Sequence, residues 1–164
     1  MKSIFNFLTV IICIIVCFTG CKKDTEANNY LRGKIDGVSF ECVSEIWVTP
    51  EGAGDKIISF RGDVSPWSVR FYLDGQGSNI TAGTYIFQSG VLRNVILLNN
   101  TGNYGAGYFC GFGTPCTFDG SGKIIILEIN KKHIKGTFEF VTSVSPATST
   151  FKTITDGEFY IKRN

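Results

Sequence analysis

The sequence is poor in histidine and methionine and has almost no excess of basic residues over acidic ones. Among 164 residues it has one histidine, His133, and one methionine. A Ser-His-acid triad would have to use His133, and no serine lies in a G-x-S-x-G elbow. The 16 Lys and Arg residues nearly balance the 14 Asp and Glu residues, so there is no net field to attract nucleic acid. These scarcities indicate a protein that is not an enzyme and does not bind nucleic acid.

Long apolar runs are almost absent as well. The exception extends from Phe7 to Phe18 and is shorter than the roughly 20 residues that a membrane-spanning helix needs. Lys2 precedes this run and small residues follow it, which is the layout of a secretory signal peptide. We therefore expect residues 1–20 to be removed, and Cys13 and Cys17 with them.

The residues at the end of this segment, Phe18–Cys21 (FTGC), resemble the lipobox of bacterial lipoproteins. In those proteins the cysteine is lipidated before the signal peptide is cleaved. The resemblance implies that Cys21 is the first residue of the mature chain and carries acyl chains. Each buried methylene contributes about 0.8 kcal/mol to membrane partition, so several acyl chains would hold the protein at the membrane permanently. The membrane is therefore an expected partner, through Cys21.

A polar stretch, KKDTEANNY, follows Cys21 and has no apolar periodicity, which is typical of a flexible tether. We expect the lipidated cysteine and the tether to occupy residues 21–30. Asp24 and Glu26 resemble a weak form of the acidic stretch that directs lipoproteins of the Bacteroidota to the outer cell surface. The resemblance implies an outer membrane lipoprotein of the cell envelope, on the cell surface or the periplasmic face.

The remaining residues, 31–164, are expected to form a single all-β domain. Nineteen glycines and fourteen phenylalanines are typical of a sheet protein. From Leu31 onward, short apolar runs alternate with Gly, Asp, Asn and Pro. This pattern predicts an antiparallel β-sandwich of about nine or ten strands, and a closed or partly open β-barrel, which has the same strand spacing, is the alternative.

Three dipeptides or short segments predict turns between these strands. Asp36-Gly37 and Asp156-Gly157 are expected at two-residue turns, because a type I′ turn needs positive φ at its centre. The polar segment Asn130–His133 predicts another tight turn.

Apolar spacing predicts which strand faces are buried. Alternation in Trp67–Leu73 indicates one buried face and one solvated face. The continuous run Ile124–Leu127 predicts a central strand covered on both faces. The inward-facing residues of the last two strands are expected to be Phe138, Phe140, Phe159 and Ile161.

Three stretches of the domain carry a further resemblance. They are GKIDGVSFEC at 33–42, GTY at 83–85, and IKGTFEFV with ITDGEFYIK near the end of the chain. They resemble small β-rich lipoproteins of the Bacteroidota that are grouped in domain families of unknown function. The resemblance spans most of the mature chain and implies export, lipidation and a β fold. It implies no catalytic residues, and Phe40 stands where such proteins often have Trp.

Cysteines of the domain lie in a chain that is expected to be exported, where disulfides persist. Cys42 alternates with Val38 and Phe40, so it is expected in the core as a small apolar residue. Cys110 and Cys116 flank a Gly-Phe-Gly-Thr-Pro loop. We expect them to form a disulfide that fixes the loop and contributes about 2 kcal/mol.

A zinc site is the alternative use of these cysteines, because Cys42, Cys110, Cys116 and His133 make up a Cys₃His set. Structural zinc sites usually contain C-x₂₋₄-C pairs, and the spacer between Cys110 and Cys116 is longer. His133 is expected to be solvated in its Lys-Lys-His turn. No metal or cofactor is therefore expected.

Aromatic residues cluster around the same loop, at Tyr104, Tyr108, Phe109 and Phe112. Flat rings on a rigid loop suit stacking against a sugar or a partner protein, which makes these four the candidate ligand-binding residues. In the alternative, which their spacing favours, the rings pack against the end of the sheet.

Three hypotheses about function remain open at this point. The favoured one is a lipid-anchored, non-catalytic binding or structural accessory module whose partner is a glycan or an envelope protein. The second is a β-barrel that carries an apolar ligand in a connected interior cavity. The third is a surface hydrolase, which needs two carboxylates roughly 5 to 10 Å apart in an open cleft.

Overall fold

The computed structural model describes residues 28–43, 46–50, 55–87, 93–99, 102–109, 117–142 and 150–163. These residues form twelve β-strands. In chain order they are β1 (Tyr30–Ile35), β2 (Val38–Cys42), β3 (Ile46–Pro50), β4 (Ile57–Val64), β5 (Trp67–Asp74), β6 (Gly83–Phe87), β7 (Arg93–Asn99), β8 (Gly102–Phe109), β9 (Thr117–Asp119), β10 (Ser121–Ile129), β11 (His133–Val141) and β12 (Thr153–Lys162).

The strands form two antiparallel sheets. Sheet A has the order β2-β1-β12-β11-β10-β6, and sheet B has the order β3-β4-β5-β7-β8-β9. Their apolar faces pack together, so the predicted antiparallel β-sandwich is confirmed. In the part of the chain that is described, each sheet keeps two edge strands, and the alternative of a closed barrel is wrong. With β3 and β9 at the edges of sheet B, the described residues form twelve strands, against the nine or ten expected from the sequence.

Phenylalanine rings join the two sheets across the interior. The ring centroid of Phe60 in sheet B lies 5.0 Å from that of Phe159 in sheet A. The centroid of Phe71 likewise lies 4.8 Å from that of Phe138. The predicted inward-facing residues are confirmed as buried: Val69, Phe71, Leu73, Phe138, Phe140, Phe159 and Ile161. Described residues of both sheets thus fill the centre of the interior with side chains.

Sheet A pairs glycines with phenylalanines directly across neighbouring strands. The four pairs are Gly33 with Phe40, Gly122 with Phe140, Gly136 with Phe159, and Gly157 with Phe138. A Cβ added to Gly136 would lie 2.7 Å from Cζ of Phe159, and one added to Gly157 would lie 2.5 Å from Cδ2 of Phe138. At Gly33, Gly136 and Gly157 ring atoms of the phenylalanine lie in the space beside the glycine, an arrangement known to compensate for the missing side chain of a strand glycine.

Two of the predicted turns are confirmed. Asp36 and Gly37 have φ values of 49° and 82°, and the flanking Ile35 and Val38 pair directly, which is the geometry of a two-residue hairpin turn. The turn at Asn130–His133 is closed by a hydrogen bond of 3.0 Å from the Asn130 N–H to the His133 carbonyl oxygen.

Asp156-Gly157 does not form a turn, and that prediction is wrong. Both residues lie inside β12, where the register against β1 shifts so that two residues of β12 oppose Gly33 alone. This is a β-bulge, which inserts one extra residue and bends the strand. Asp156 has a φ of 52°, the left-handed conformation that a hairpin turn also uses. An Asp-Gly dipeptide can therefore occupy either a hairpin turn or a β-bulge.

Strand β10 is covered on one face only, contrary to the prediction from its continuous apolar run. Ile124 and Ile126 are buried in the core, whereas Leu127 is 59% exposed. The register with β11 shifts between Ile126 and Glu128, so Leu127 lies at a second bulge on the solvent side of sheet A.

Lys152 closes the end of the sandwich at which β1 turns into β2. Its ammonium nitrogen lies 2.7 Å from Oδ2 of Asp36 and 5.9 Å from the ring centroid of Trp67 in sheet B. Burial raises the pKa of the Asp36 carboxyl. Hydrogen bonds from Lys152 and from the Thr153 N–H, with the charge of Lys152, outweigh burial and hold that pKa below its ordinary value.

Replacement of Gly136 by alanine tests the close packing that accompanies the glycine–phenylalanine pairing, because an added Cβ would lie 2.0 Å from the Ile125 carbonyl oxygen and 2.7 Å from Cζ of Phe159. Overpacking of a filled core costs typically about 1–3 kcal/mol, and we expect Gly136→Ala to lower the free energy of unfolding by that amount. The matched control is Gly105→Ala in β8, where the nearest atom to an added Cβ is the Val95 carbonyl oxygen at 3.8 Å. Urea unfolding followed by circular dichroism measures both. Equal effects of the two substitutions would contradict the pairing argument.

Replacement of Asp36 by asparagine tests the ion pair at the closed end. Asparagine keeps the turn conformation and a side-chain oxygen for the Thr153 N–H. The Asp36 side chain is 42% exposed, so solvent screening limits the loss to about 1 kcal/mol at neutral pH.

Because the folded pKa of Asp36 is lowered, this stabilisation is present above the unfolded value and is lost as the pH falls below about 4. The difference between the wild type and Asp36→Asn should therefore shrink over that range in urea unfolding at a series of pH values. A difference that does not change with pH would refute the ion pair.

Candidate functional site

Tyr104, one of the four predicted ligand-binding residues, faces the core and is 2% exposed. Its ring lies 6.0 Å from that of Trp67 in an edge-to-face contact, and the Lys152 ammonium lies 5.7 Å from its centroid. The prediction that Tyr104 offers its ring to a ligand is wrong, because its place between the sheets leaves no free ring face. The alternative, packing against the sheet, holds for this residue.

Other predicted site residues fall partly or wholly outside the described structure. The backbones of Tyr108 and Phe109 belong to β8, where they pair with Phe118 and Thr117 of β9. Their side chains lie outside the described residues, as do Phe112 and the three cysteines Cys21, Cys110 and Cys116.

Cys42 and His133 occupy opposite faces of sheet A. Cys42 is a free cysteine buried in the core, as predicted. His133 is not solvated as predicted, because its side chain is only 16% exposed and its Nε2 lies 3.1 Å from Oε1 of Glu128 on the outer face. The sheet separates the two residues, so they cannot share the Cys₃His zinc site. Among the described residues, no three His, Cys, Asp or Glu side chains are grouped closely enough to hold a metal ion.

A different set of residues forms an extended row on the surface of the described chain. On the outer face of sheet A, residues that pair directly from strand to strand form one row across all six strands. This central row consists of Glu41, Arg32, Glu158, Thr137, Ile125 and Thr84. With strands about 4.8 Å apart, it is about 24 Å long.

Two depressions lie beside the central row, one on each side of β12. The first has a volume of about 480 Å³ and is lined by Arg32, Gly33, Lys34, Ser39, Phe40, Glu41, Asp156 and Glu158. The second has a volume of about 310 Å³ and is lined by Lys123, Ile125, Thr137, Phe138, Glu139, Asp156, Gly157 and Glu158. They share Asp156 and Glu158, so together they form one interrupted channel, which we call the outer-face groove.

The β-bulge in β12 lies at the centre of the outer-face groove. An extra residue at Asp156 spreads the outward-facing side chains of β12 apart, and below them Gly157 approaches Gly33 closely. A Cβ on Gly33 would lie 3.1 Å from the Gly157 Cα. Bulges are frequent beside binding sites because they change the direction of a side chain. Here the bulge turns the Asp156 carboxylate outward, where it is 66% exposed.

Ion pairs between neighbouring strands hold the walls of the groove in place. Nη2 of Arg32 lies 2.6 Å from Oε2 of Glu158, and Nζ of Lys34 lies 2.8 Å from Oδ2 of Asp156. Across the second depression, Lys123 Nζ lies 2.9 Å from Oε1 of Glu139. Exposed pairs of this kind add little stability each, about 0–1 kcal/mol. Their consequence is orientation: donors and acceptors face the groove in fixed positions.

An aromatic stack borders one side of the groove. Tyr160 of β12 stacks on Tyr30 of β1, with ring centroids 6.1 Å apart, and on His133 of β11, with centroids 4.9 Å apart. The guanidinium of Arg32 lies 4.8 Å from the Tyr30 centroid. Because both faces of the Tyr160 ring are covered by its neighbours, the stack presents ring edges and polar groups to solvent rather than a flat face.

Glu128 supports the stack from β10. Its carboxylate contacts both Lys135, at 2.6 Å, and His133. The hydrogen bond from Lys135 lowers the pKa of Glu128 despite the opposing effect of desolvation, and the charges of Lys135 and His133 lower it further. The contact therefore holds the imidazole beside Tyr160 through a carboxylate that stays ionised.

Carboxylates do converge on the groove, as the hydrolase hypothesis requires, but each central one has a cationic partner. Asp156 pairs with Lys34 and Glu158 pairs with Arg32. A glycosidase needs two carboxyl groups whose oxygens are free to face the scissile bond across an open cleft, whereas these two already contact their cationic partners. The arrangement is better suited to hydrogen bonding with a ligand than to proton transfer.

Sequence reasoning missed this site for a traceable reason. The outward positions of Tyr30 and Tyr160 follow from the inward positions of Leu31 and Phe159, since side chains alternate along a strand. Reading Asp156-Gly157 as a turn placed the end of a strand where the groove in fact has its centre.

None of the described residues forms a helix long and apolar enough to cross a membrane. Comparison of the chain with protein-family models, with curated proteins and with solved structures gave no match.

Proposed function

We propose that the chain is a lipid-anchored, non-catalytic binding module of the cell envelope that holds a neutral glycan in the outer-face groove of sheet A. The observation that carries the proposal is the groove itself, an open channel whose polar walls are fixed by ion pairs between strands. The lipobox-like Phe18–Cys21 supplies the membrane anchor in this proposal.

The charge of the groove supports a neutral, hydroxyl-rich ligand. Three cations line it, Arg32, Lys34 and Lys123, against four carboxylates, Glu41, Glu139, Asp156 and Glu158. Such a near balance offers little attraction to a strongly charged chain. Sugar hydroxyl groups both donate and accept hydrogen bonds, so they match walls that alternate ammonium or guanidinium groups with carboxylates.

The mode of recognition follows from the covered rings. The faces of Tyr160 are occupied by Tyr30 and His133, so a sugar does not stack on that ring. It is bound instead by hydrogen bonds from the groove walls, with the edge of the aromatic stack as one border. Affinity in such a site comes from many charge-assisted hydrogen bonds rather than from apolar burial.

The shape of the groove favours a glycan chain over a folded protein partner. The central row extends over about 24 Å, and both depressions lie along it, which suits an extended chain. A protein interface of ordinary strength is centred on buried aromatic or Arg anchors that fit into desolvated pockets. The groove is open to solvent, and charged side chains line both of its depressions. This does not fit that pattern.

Replacement of Glu158 by glutamine tests the groove. We expect the variant to bind the recognised glycan about tenfold or more weakly, because charge-assisted hydrogen bonds contribute about 1.5–3 kcal/mol each. The matched control is Asp63→Asn, which also removes a carboxylate paired with a cation, Arg61, but lies on sheet B, away from the groove.

The measurement is a screen of the mature protein on an array of neutral glycans, followed by calorimetric titration of both variants with the glycan that binds. Weakening confined to Glu158→Gln would support the proposal. Failure of the wild-type protein to bind any neutral glycan, or equal weakening by both substitutions, would refute it.

Replacement of Cys21 by alanine tests the anchor. Without its thiol the chain cannot be acylated, and we expect loss of the acyl mass from the mature protein and its release from the membrane fraction. Cys17→Ala is the matched control, because Cys17 belongs to the segment that is expected to be removed. The measurements are intact-protein mass spectrometry and membrane fractionation. A Cys21→Ala protein that stays acylated would contradict the proposal.

A further inference from the structure

Basic residues concentrate at the end of the sandwich where the tether joins the domain. The chain enters the domain at Asn29, whose Oδ1 accepts a hydrogen bond of 2.8 Å from the backbone N–H of Lys162. Next to Lys162, Arg163 donates from its backbone N–H to the Lys132 carbonyl oxygen at 2.9 Å. The first strand, the last strand and the turn between β10 and β11 therefore meet at this end.

Contacts of Arg163 extend this surface to sheet B. Its Nη1 donates to the Asn130 carbonyl oxygen at 3.0 Å, and its guanidinium pairs with Asp55, which directly precedes Lys56. We call the resulting set the tether-end surface. It consists of Lys56, Lys131, Lys132, Lys162 and Arg163.

The tether-end surface has an excess of positive charge. Within the described chain, its five cations face two nearby carboxylates, that of Asp55, which pairs with Arg163, and that of Asp74, opposite Ile57. Lys56, Lys131 and Lys132 are exposed, and no described carboxylate forms an ion pair with them. Over the whole sequence the charges nearly cancel, so this local excess is a property of the fold rather than of composition.

We propose that the tether-end surface docks on the anionic headgroups of the membrane that holds the lipid anchor. The proposal rests on lipidation at Cys21. Cys21 lies eight residues before Asn29, and a chain of eight residues extends at most about 28 Å. The end of the domain at which the tether enters is therefore held close to the lipid surface. A Lys or Arg residue close to an anionic leaflet contributes about fivefold to binding, within a Debye length of about 8–10 Å.

Docking at this end fixes the direction in which the groove opens. Strand β1 runs from the tether-end surface at Tyr30 to the Asp36-Gly37 turn at the opposite end. With the tether-end surface on the lipid, the strands of sheet A lead away from the membrane. Their outer face, and the groove on it, is turned sideways to the aqueous phase, where a glycan chain can reach it.

The test uses the mature chain with Cys21→Ser, which has no acyl chain, so that its outcome does not depend on lipidation. Its binding is measured by cosedimentation with vesicles of phosphatidylcholine alone and of phosphatidylcholine mixed with phosphatidylglycerol, at low and high salt. We expect binding to the anionic vesicles only, and loss of that binding at high salt.

Two double variants, each with two fewer positive charges, distinguish binding through the tether-end surface from attraction that depends only on net charge. In the Cys21→Ser background, Lys131→Gln with Lys132→Gln should weaken binding to the anionic vesicles by about 25-fold. Arg61→Gln with Arg70→Gln, on the outer face of sheet B, should weaken it by less than about threefold. Circular dichroism checks that both remain folded.

Equal binding to the two kinds of vesicle, or equal weakening by the two double variants, would overturn the docking proposal. Glycan titration of the same lysine variant shows whether the groove is intact. A loss of docking with glycan binding retained would separate the membrane contact from the proposed binding function.

Discussion

The pairing of glycine with phenylalanine across the strands of sheet A is the constraint on which the rest of the structure depends. Four glycines each lie opposite a phenylalanine, and at three of them, Gly33, Gly136 and Gly157, ring atoms lie beside the glycine. Rings placed over the backbone can reach the middle of the sandwich, where Phe138 and Phe159 meet Phe71 and Phe60 of sheet B. In these pairs glycine provides the space and phenylalanine fills it.

The groove follows from the same constraint. Gly33 and Gly157 lie side by side, and beyond them Phe40 and Phe138 complete a line of four residues across sheet A. A side chain on either glycine would meet the neighbouring strand, so the close approach is fixed and β12 accommodates its additional residue by bulging outward. The bulge carries Asp156 into solvent beside Lys34. The β-bulge at Asp156-Gly157 therefore accounts both for the tight packing on the inner face and for the open polar channel on the outer face.

Much of the fold could be predicted from local patterns, and the failures have physical reasons. Alternation identified the inward faces because burial on one side of a strand imposes a period of two. Asp-Gly signalled positive φ correctly at both places, but φ alone does not distinguish a turn from a bulge. What decides is whether the following residues pair back with the preceding strand, as they do after Gly37, or continue in the same strand, as they do after Gly157. The candidate site depended on that difference, so it could not be found from local sequence.

The position of the aromatic residues determines how this surface can recognise a ligand. The buried phenylalanines, and Tyr104 with them, serve the core, while Tyr30 and Tyr160 stack on each other and on His133 outside it. The faces of these rings are thus used within the protein. The outer face of sheet A exposes the apolar side chains of Ile86 and Leu127, and its groove is lined by charged groups that form ion pairs between strands. Recognition through such groups is weak per contact and depends on matching several at once. A module of this kind benefits from being held at a surface, because confinement raises the effective concentration of a weak site near its ligand. In the two proposals the outer-face groove and the tether-end surface are therefore compatible: the membrane contact would set the orientation of the domain, and the walls of the groove would set the specificity.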